Sequence, residues 1–218
     1  QANLAEKIPL ADDITIEADS GGHTDNRPLV CLLPSILELR DEIQRKYGYE
    51  KPVRIGVAGG ISTPQSALAA FMMGAAYIVT GSINQSCLEA GTSAYTKKLL
   101  AEAEMTDVMM APAADMFEMG VKLQVLKKGT LFPLRAQKLW ELYKNYNSIS
   151  EIPPNEIEKL ENQIFRKTIT EIWQETSAYL SQRNPEKLSK AANNPKLKMA
   201  LIFRWYLGLS SRWSNNGE

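Results

Sequence analysis

The chain has 218 residues, enough for one good-sized domain. Its 25 lysines and arginines balance 25 aspartates and glutamates, so bulk charge argues for neither nucleic acid nor an acidic membrane as partner. Cys31 and Cys87 lie far apart without metal-type spacing and read as free thiols in a reducing, cytoplasmic compartment. The longest apolar run, residues 67–79, is too short to span a bilayer and contains Gly74. No signal-peptide pattern opens the chain, and the first residue is Gln1, so the sequence reads as a piece of something longer.

In chain order, residues 4–8 look like the end of a helix stopped by Pro9. A short β-branched segment, residues 14–16, then runs into Glu17-Ala-Asp-Ser-Gly-Gly-His-Thr-Asp25, which holds the single histidine, His23. Residues 28–34 carry a proline at each end and read as a buried loop. Ser35 then caps a helix to Tyr47 with Ile36, Leu39 and Ile43 on one face, ended by Gly48. Residues 52–58 read as a second strand delivering Gly59-Gly60-Ile61. Thr63 caps the next helix with Pro64 at its first position, and Leu68, Phe71 and Met72 form its expected buried stripe. Residues 74–80 make a third strand that delivers Gly81-Ser82.

Three nearly continuous apolar strands alternating with helices belong in a parallel sheet covered on both faces. All the glycine turns fall at the carboxyl ends of the strands, where parallel α/β folds keep their sites. The alternation stops after Ser82. Residues 108–111 are a short apolar run, and residues 117–130 show no clear period. Residues 135–146 are helical, with Leu139, Leu142 and Tyr143 on one side. Pro153-Pro154 breaks the chain, and Asn155 with Glu158 resembles a capping box opening a long helix to about Leu180. Asn184-Pro185 and Asn194-Pro195 each read as a cap plus first helical residue, and the last helix carries Met199, Ile202, Phe203 and Tyr206 and stops at Gly208. The chain therefore divides near residue 105, with βα units over 1–105 and a helical appendage over 106–218.

Two glycine turns at neighbouring strand ends can converge backbone N–H groups on one phosphate, with a helix N-terminus adding favourable dipole charge. Phosphosugar, nucleotide and flavin barrels share this device. A flavin mononucleotide suits the order of turns, with its phosphate at Gly59, Gly60, Gly81 and Ser82, its ring against Gly21 and Gly22, and His23 near the reacting edge. His23 with Asp19 and Asp25 can also be read as metal ligands, but no further histidine or thiolate motif backs that reading. Solvated loop acids are the plainer account of Asp19 and Asp25. Lys122, Lys127, Lys128, Arg135 and Lys138 form a basic patch, either a solvated face or a docking surface for an acidic carrier protein. Trp173, Trp205, Tyr206 and Trp213 read as the core of the appendage or as a lid over an acyl chain.

Glu17-Ala-Asp-Ser-Gly-Gly-His-Thr-Asp-Asn-Arg-Pro-Leu29, Gly56-Val-Ala-Gly-Gly-Ile61 and Gly81-Ser-Ile83 resemble the FMN-dependent nitronate monooxygenase and flavin enoyl-ACP reductase superfamily. Ala111-Pro-Ala-Ala-Asp-Met-Phe-Glu-Met-Gly-Val-Lys-Leu-Gln124 and Phe203-Arg-Trp-Tyr-Leu-Gly-Leu-Ser-Ser-Arg-Trp213 resemble its PfaD-type trans-acting enoyl reductase branch, which serves polyketide and polyunsaturated-fatty-acid synthases. The resemblance implies the carboxyl-terminal part, strands six to eight, of a TIM (β/α)8 barrel carrying a helical appendage. It implies FMN held by Gly21, Gly22, Ala58, Gly59, Gly60, Gly81 and Ser82, His23 as catalytic residue, and NADPH or NADH as co-substrate. The implied partners are an enoyl thioester on an acyl carrier protein, the amino-terminal part of the barrel on the same or a separate chain, and a second copy in a homo-oligomer. Nitronate monooxygenase chemistry with His23 as base, and a non-catalytic interaction protein, are the alternatives.

Overall fold

Asp13–Glu17 (β1) alternates polar and apolar residues, and the structure uses that alternation. β1 pairs in parallel with Arg54–Ala58 (β2), which pairs in parallel with Tyr77–Val79 (β3), so that β2 is central and β1 and β3 are edges. The structure, a computed structural model, describes Leu4 and residues 6–217, and it divides after Gly91 into two units. The helix end expected over residues 4–8 falls partly outside the described residues. Within them, the Lys7 and Ile8 N–H groups donate to the Leu4 carbonyl at 3.0 Å.

In the first unit, Leu29–Tyr47 (α1) joins β1 to β2, and Pro64–Met72 (α2) joins β2 to β3. Ile16, Ile55 and Val57 form one buried cluster with Leu33 of α1 and Ala70 of α2, so both helices serve one face of the sheet. The opposite face is polar rather than covered, contrary to the expectation of two covered faces. There Arg54 holds Asp13 through Nε and Nη2, each at 2.7 Å, and Thr15 Oγ1 lies 2.8 Å from the Tyr77 hydroxyl. The Tyr77 ring crosses Gly56, where a Cβ would lie 2.1 Å from the ring.

Residues 28–34 are not a loop. Pro28 is the N-cap of α1 and Pro34 lies inside the helix, where Ser35 Oγ donates back to the Cys31 carbonyl at 3.1 Å. A proline in the opening turns removes one N–H without stopping the helix, which its sequence position alone does not reveal. Gly48 ends α1 at φ 62°, as expected. Thr63 caps α2 with Ser66 and Pro64 sits at its first position, also as expected. The stripe expected on α2 points the other way, with Leu68 60%, Phe71 47% and Met72 79% exposed. The small residue Ala70 faces the sheet instead and lets the helix come close.

The second unit begins at Thr92, not at 106, because Ala94–Ala101 (Ser82–Gln85 is α3; this is α4) belongs with the carboxyl end of the chain. Ser93 Oγ and Thr96 Oγ1 both donate to the Ser214 carbonyl, at 2.7 and 2.8 Å. This unit is not purely helical. Val108–Pro112 (β4) pairs antiparallel with Lys122–Leu126 (β5), a pairing hidden by strands too short to show a period. Helices α5 (Phe132–Asn145), α6 (Pro154–Lys159), α7 (Ile169–Arg183), α8 (Pro185–Ala192) and α9 (Pro195–Asn216) follow. The expected long helix to Leu180 is interrupted by a π-helical turn over Leu160–Phe165 and by Arg166 at φ 57°. Thr168 and Glu171 form the capping box that restarts it, whereas α6 is capped by Pro153 rather than by Asn155. Asn184 and Asn194 cap α8 and α9 as expected, through side-chain oxygens 3.0 and 2.9 Å from the Lys187 and Leu197 nitrogens. The last helix runs through Gly208 to Asn216, because its apolar face stays packed beyond the glycine at Trp213.

Phe117, Leu139, Ile172, Met199, Ile202 and Phe203 fill the core of this unit, with Trp173, Trp205 and Trp213 packed against it. Among the described residues, no helix is long and apolar enough to cross a membrane.

Two expectations follow. Gly56→Ala should destabilise the first unit by about 1–3 kcal/mol through overpacking against Tyr77, seen as a lower urea midpoint, and Tyr77→Ala in the same chain should recover most of the loss. In the second unit, Lys138 and Lys159 lie 2.5 and 2.8 Å from the Glu156 carboxylate and hold its pKa down, from 4.5 to about 2. The stability this confers is complete above pH 4.5 and is lost as pH falls from there toward 2. Glu156→Gln should therefore flatten the melting temperature against pH in that window.

Candidate functional site

The site grows from the level carboxyl ends of the three strands. Glu17 pairs with Ala58, and Ala58 with Val79, so the chain leaves all three strands at one height. Parallel strands feeding such exits make a common rim on which a ligand can be read by backbone.

Beyond β1 the chain folds into a closed loop. The Ala18 N–H donates to the Ala58 carbonyl and the Asp19 N–H to the Arg27 carbonyl, both at 2.9 Å. Inside, Asp19 Oδ1 accepts from Asn26 Nδ2 at 2.8 Å and from Thr24 Oγ1 at 3.4 Å. Thr24 Oγ1 in turn accepts from the Ser20 and Asn26 N–H groups, and Ser20 Oγ donates to Glu17 Oε1 at 2.9 Å. Gly22 at φ 91° and Asn26 at φ 54° supply the two left-handed positions the loop needs. His23 lies within this loop with an exposed side chain. Asp19 is the acid that braces the loop; both it and Asp25 are exposed.

Beyond β2, Gly59 and Gly60 lie at φ 91° and 69°. A Cβ on Gly59 would sit 2.7 Å from the Ala18 oxygen and 2.8 Å from the Asp19 oxygen, so this glycine lets two strand exits touch through backbone. Beyond β3, Asn84 steadies the turn by donating from Nδ2 to the Thr80 carbonyl at 2.9 Å and from its N–H to the Gly81 carbonyl at 2.9 Å. A Cβ on Gly21 would lie 3.3 Å from Ser82 Oγ, which brings the histidine loop against the Gly81-Ser82 turn. Ala58, the last residue of β2, stands between them in the sheet.

The structure sets Gly21 against Ser82 and Gly59 against Ala18 and Asp19, with Ala58 between them in the sheet; Gly22 and His23 follow Gly21 in the loop, Gly60 follows Gly59 and Gly81 precedes Ser82. It leaves room above them. A Cβ on Gly22 or Gly81 would meet no atom within 4 Å. No hydrogen bond among the described residues uses the Gly60 or Gly81 N–H. Open amides beside the start of α2 fit an anionic group such as a phosphate. Among the described residues, no three His, Cys, Asp or Glu side chains group to hold a metal ion. Sequence reasoning missed Asn84 and the Tyr77–Gly56 contact. The first is an ordinary polar residue in a turn, and the second is visible only once the strand register is known.

Most of the basic patch is engaged. Lys128 Nζ lies 3.4 Å from Asp107 and donates to the Glu102 carbonyl, Lys138 pairs with Glu156, and Arg135 lies 3.4 Å from the Tyr206 hydroxyl. Cys31 and Cys87 are both free thiols.

The first unit thus carries an α/β rim of glycine turns beside a histidine loop. Comparison with known proteins narrows what such a rim can be. The chain is 55% identical, over its whole length, to one of the polyunsaturated fatty acid synthase proteins of Thraustochytrium sp., covering 15% of that protein. It is 50% identical over its whole length to the polyketide biosynthesis protein PksE of Bacillus subtilis, covering 28% of it. Among solved structures it matches the enoyl reductase domain of MlnA, from the macrolactin cluster of Bacillus amyloliquefaciens, with a TM-score of 0.86 and 46% identity, over 95% of this chain and 46% of that one. Residues 146–218 match the family model for the inserted helical domain of [acyl-carrier-protein] S-malonyltransferase. The chain is thus related to polyunsaturated-fatty-acid and polyketide synthase proteins and has the fold of part of an enoyl reductase domain, which bears out the resemblance to the PfaD-type branch. It spans between 15% and 28% of these two curated relatives.

Gly59→Ala should destabilise the first unit by about 1–3 kcal/mol, since it adds both a clash and a disfavoured φ. Gly81→Ala meets open space at φ −118°, so it should change the urea midpoint little.

Proposed function

We propose that the chain is the flavin-site portion of an FMN- and NAD(P)H-dependent enoyl-thioester reductase that acts in trans on acyl chains of a polyketide or polyunsaturated-fatty-acid synthase. The observation that carries this reading is the contact of the histidine loop with the two glycine turns at one level of the sheet. The MlnA enoyl reductase domain supports the reaction class.

The residues present fit the cofactor. Gly59, Gly60, Gly81 and Ser82 would hold the phosphate through backbone N–H groups, with Ala58 beneath it, and Gly21-Gly22 would offer a flat surface to the ring. FMN when bound supplies a hydride carrier between NAD(P)H and the β-carbon of the enoyl thioester. The chain's own work is then to hold the thioester, hydrogen-bond its oxygen as negative charge develops, and place a proton donor at the α-carbon. His23 takes the donor role, and Asp19 with Thr24 and Asn26 keeps its loop in place. The polar sheet face and the two unpaired sheet edges suit a TIM barrel whose other strands come from the rest of the protein.

The test is the full-length protein under anaerobic stopped-flow. A yellow protein bleached by NADPH and re-oxidised by an enoyl thioester without oxygen is expected. His23→Ala should lower kcat by about 10²–10⁴-fold, and Gly81→Ala should weaken FMN binding without altering the urea midpoint. A colourless protein, or a flavin that is reduced by a nitronate and re-oxidised by dioxygen but not by the enoyl thioester, would overturn the proposal.

A further inference from the structure

The balanced net charge hides a segregation. Residues 183–217 carry seven basic residues and one acid, Glu186, while the rest of the chain carries eighteen basic against twenty-four acidic residues. Three of the seven are engaged in the unit itself. Lys196 donates to the Tyr143 and Tyr146 carbonyls, and Arg204 Nη1 holds both Glu118 oxygens at 2.9 and 3.1 Å. Lys190 pairs with Glu186 at 2.6 Å.

Three others lie on three helices that pack together. Arg183 ends α7, Lys187 lies in the first turn of α8, and Lys198 in the first turns of α9. These helices meet around Leu180, Ala191 and Leu201, with Trp173, Leu188 and Leu197 packed beside them. Lys198 Nζ stands 4.7 Å from the centre of the Trp173 ring, which holds the ammonium against the aromatic face. Among the described residues, Arg183 and Lys187 have no carboxylate partner. Tyr179, next to Leu180, is 64% exposed. The result is a basic surface on three packed helices, with Tyr179 exposed beside it and few acids to neutralise it, which suits an acidic partner.

We infer that the α7–α9 junction, through Arg183, Lys187 and Lys198, docks the acidic carrier-protein domain that bears the enoyl thioester. This rests on the proposed enoyl-thioester reductase function for its choice of partner. It moves docking away from Lys128, Arg135 and Lys138, which the unit's own acids and hydroxyls already occupy. The match of residues 146–218 to a helical insert from an enzyme named for the acyl carrier protein agrees with the choice.

The experiment uses the full-length protein, a double variant Arg183→Glu/Lys187→Glu, and a triple variant that adds Lys198→Glu. Substrates are one enoyl group on a carrier domain and the same group on N-acetylcysteamine. The expected result is a KM about tenfold or more higher for the carrier-bound substrate only, with kcat and small-thioester kinetics unchanged. Unchanged small-thioester turnover also reports an intact fold, and the double variant, which touches no packing contact of Trp173, guards against misfolding in the triple. Fluorescence anisotropy with a labelled apo carrier domain should show the same loss of affinity, falling further with added salt. Equal KM and equal anisotropy for wild type and both variants would overturn the inference, as would binding of anionic vesicles but not of the carrier domain. If neither thioester is turned over, the reductase reading fails, and the anisotropy still decides the docking surface.

Discussion

The approach of Gly59 to the carbonyls of Ala18 and Asp19 is the constraint on which the first unit's geometry turns. Two parallel strands can end at one height only if the chain leaving one does not collide with the chain leaving the other. Here the second chain passes at a distance no Cβ tolerates, at a φ that L side chains rarely adopt. The loop bearing His23 is thereby laid against the sheet, and the internal hydrogen bonds of Asp19, Thr24 and Asn26 shape it further. Glycine thus acts structurally between strands and, at Gly81 and Gly22, leaves a surface open.

The sheet separates two environments. One face is closed by α1 and α2 over Ile16, Ile55 and Val57, where burial removes apolar surface from water. The other carries an Asp13–Arg54 pair and a Thr15–Tyr77 bond in successive layers along the strands. Polar layers on that side suit an interior that approaches a binding site.

The second unit is held differently. Its core is a nest of aromatic rings around Phe117 and Phe203, joined edge-on and tilted, with Trp205 and Trp213 extending it. Ion pairs at Lys138–Glu156–Lys159 and Arg204–Glu118 tie its helices where those rings end. Basic residues outnumber acids over residues 183–217, so local charge departs from a neutral whole.

Several features were legible in the sequence because they depend on neighbours a few residues apart. Thr63, Asn184 and Asn194 announce their caps through the residue type beside Pro64, Pro185 and Pro195, and each glycine turn follows an apolar strand. The three strand exits and their glycine turns were readable for the same reason, since strand, turn and helix succeed one another locally. Other features were decided by partners distant along the chain. Pro34 stays inside α1, the stripe of Leu68, Phe71 and Met72 faces out, and the helix before Thr168 breaks at a π turn because packing outweighs propensity there. Ser93 and Thr96 are tied to the second unit by the carbonyl of Ser214, more than a hundred residues on. The sequence by itself determined which residues make turns and caps, because those rest on local backbone chemistry. The tertiary structure alone decided which faces are buried, where the two units divide and which charges remain unpaired, because each depends on what the folded chain brings alongside.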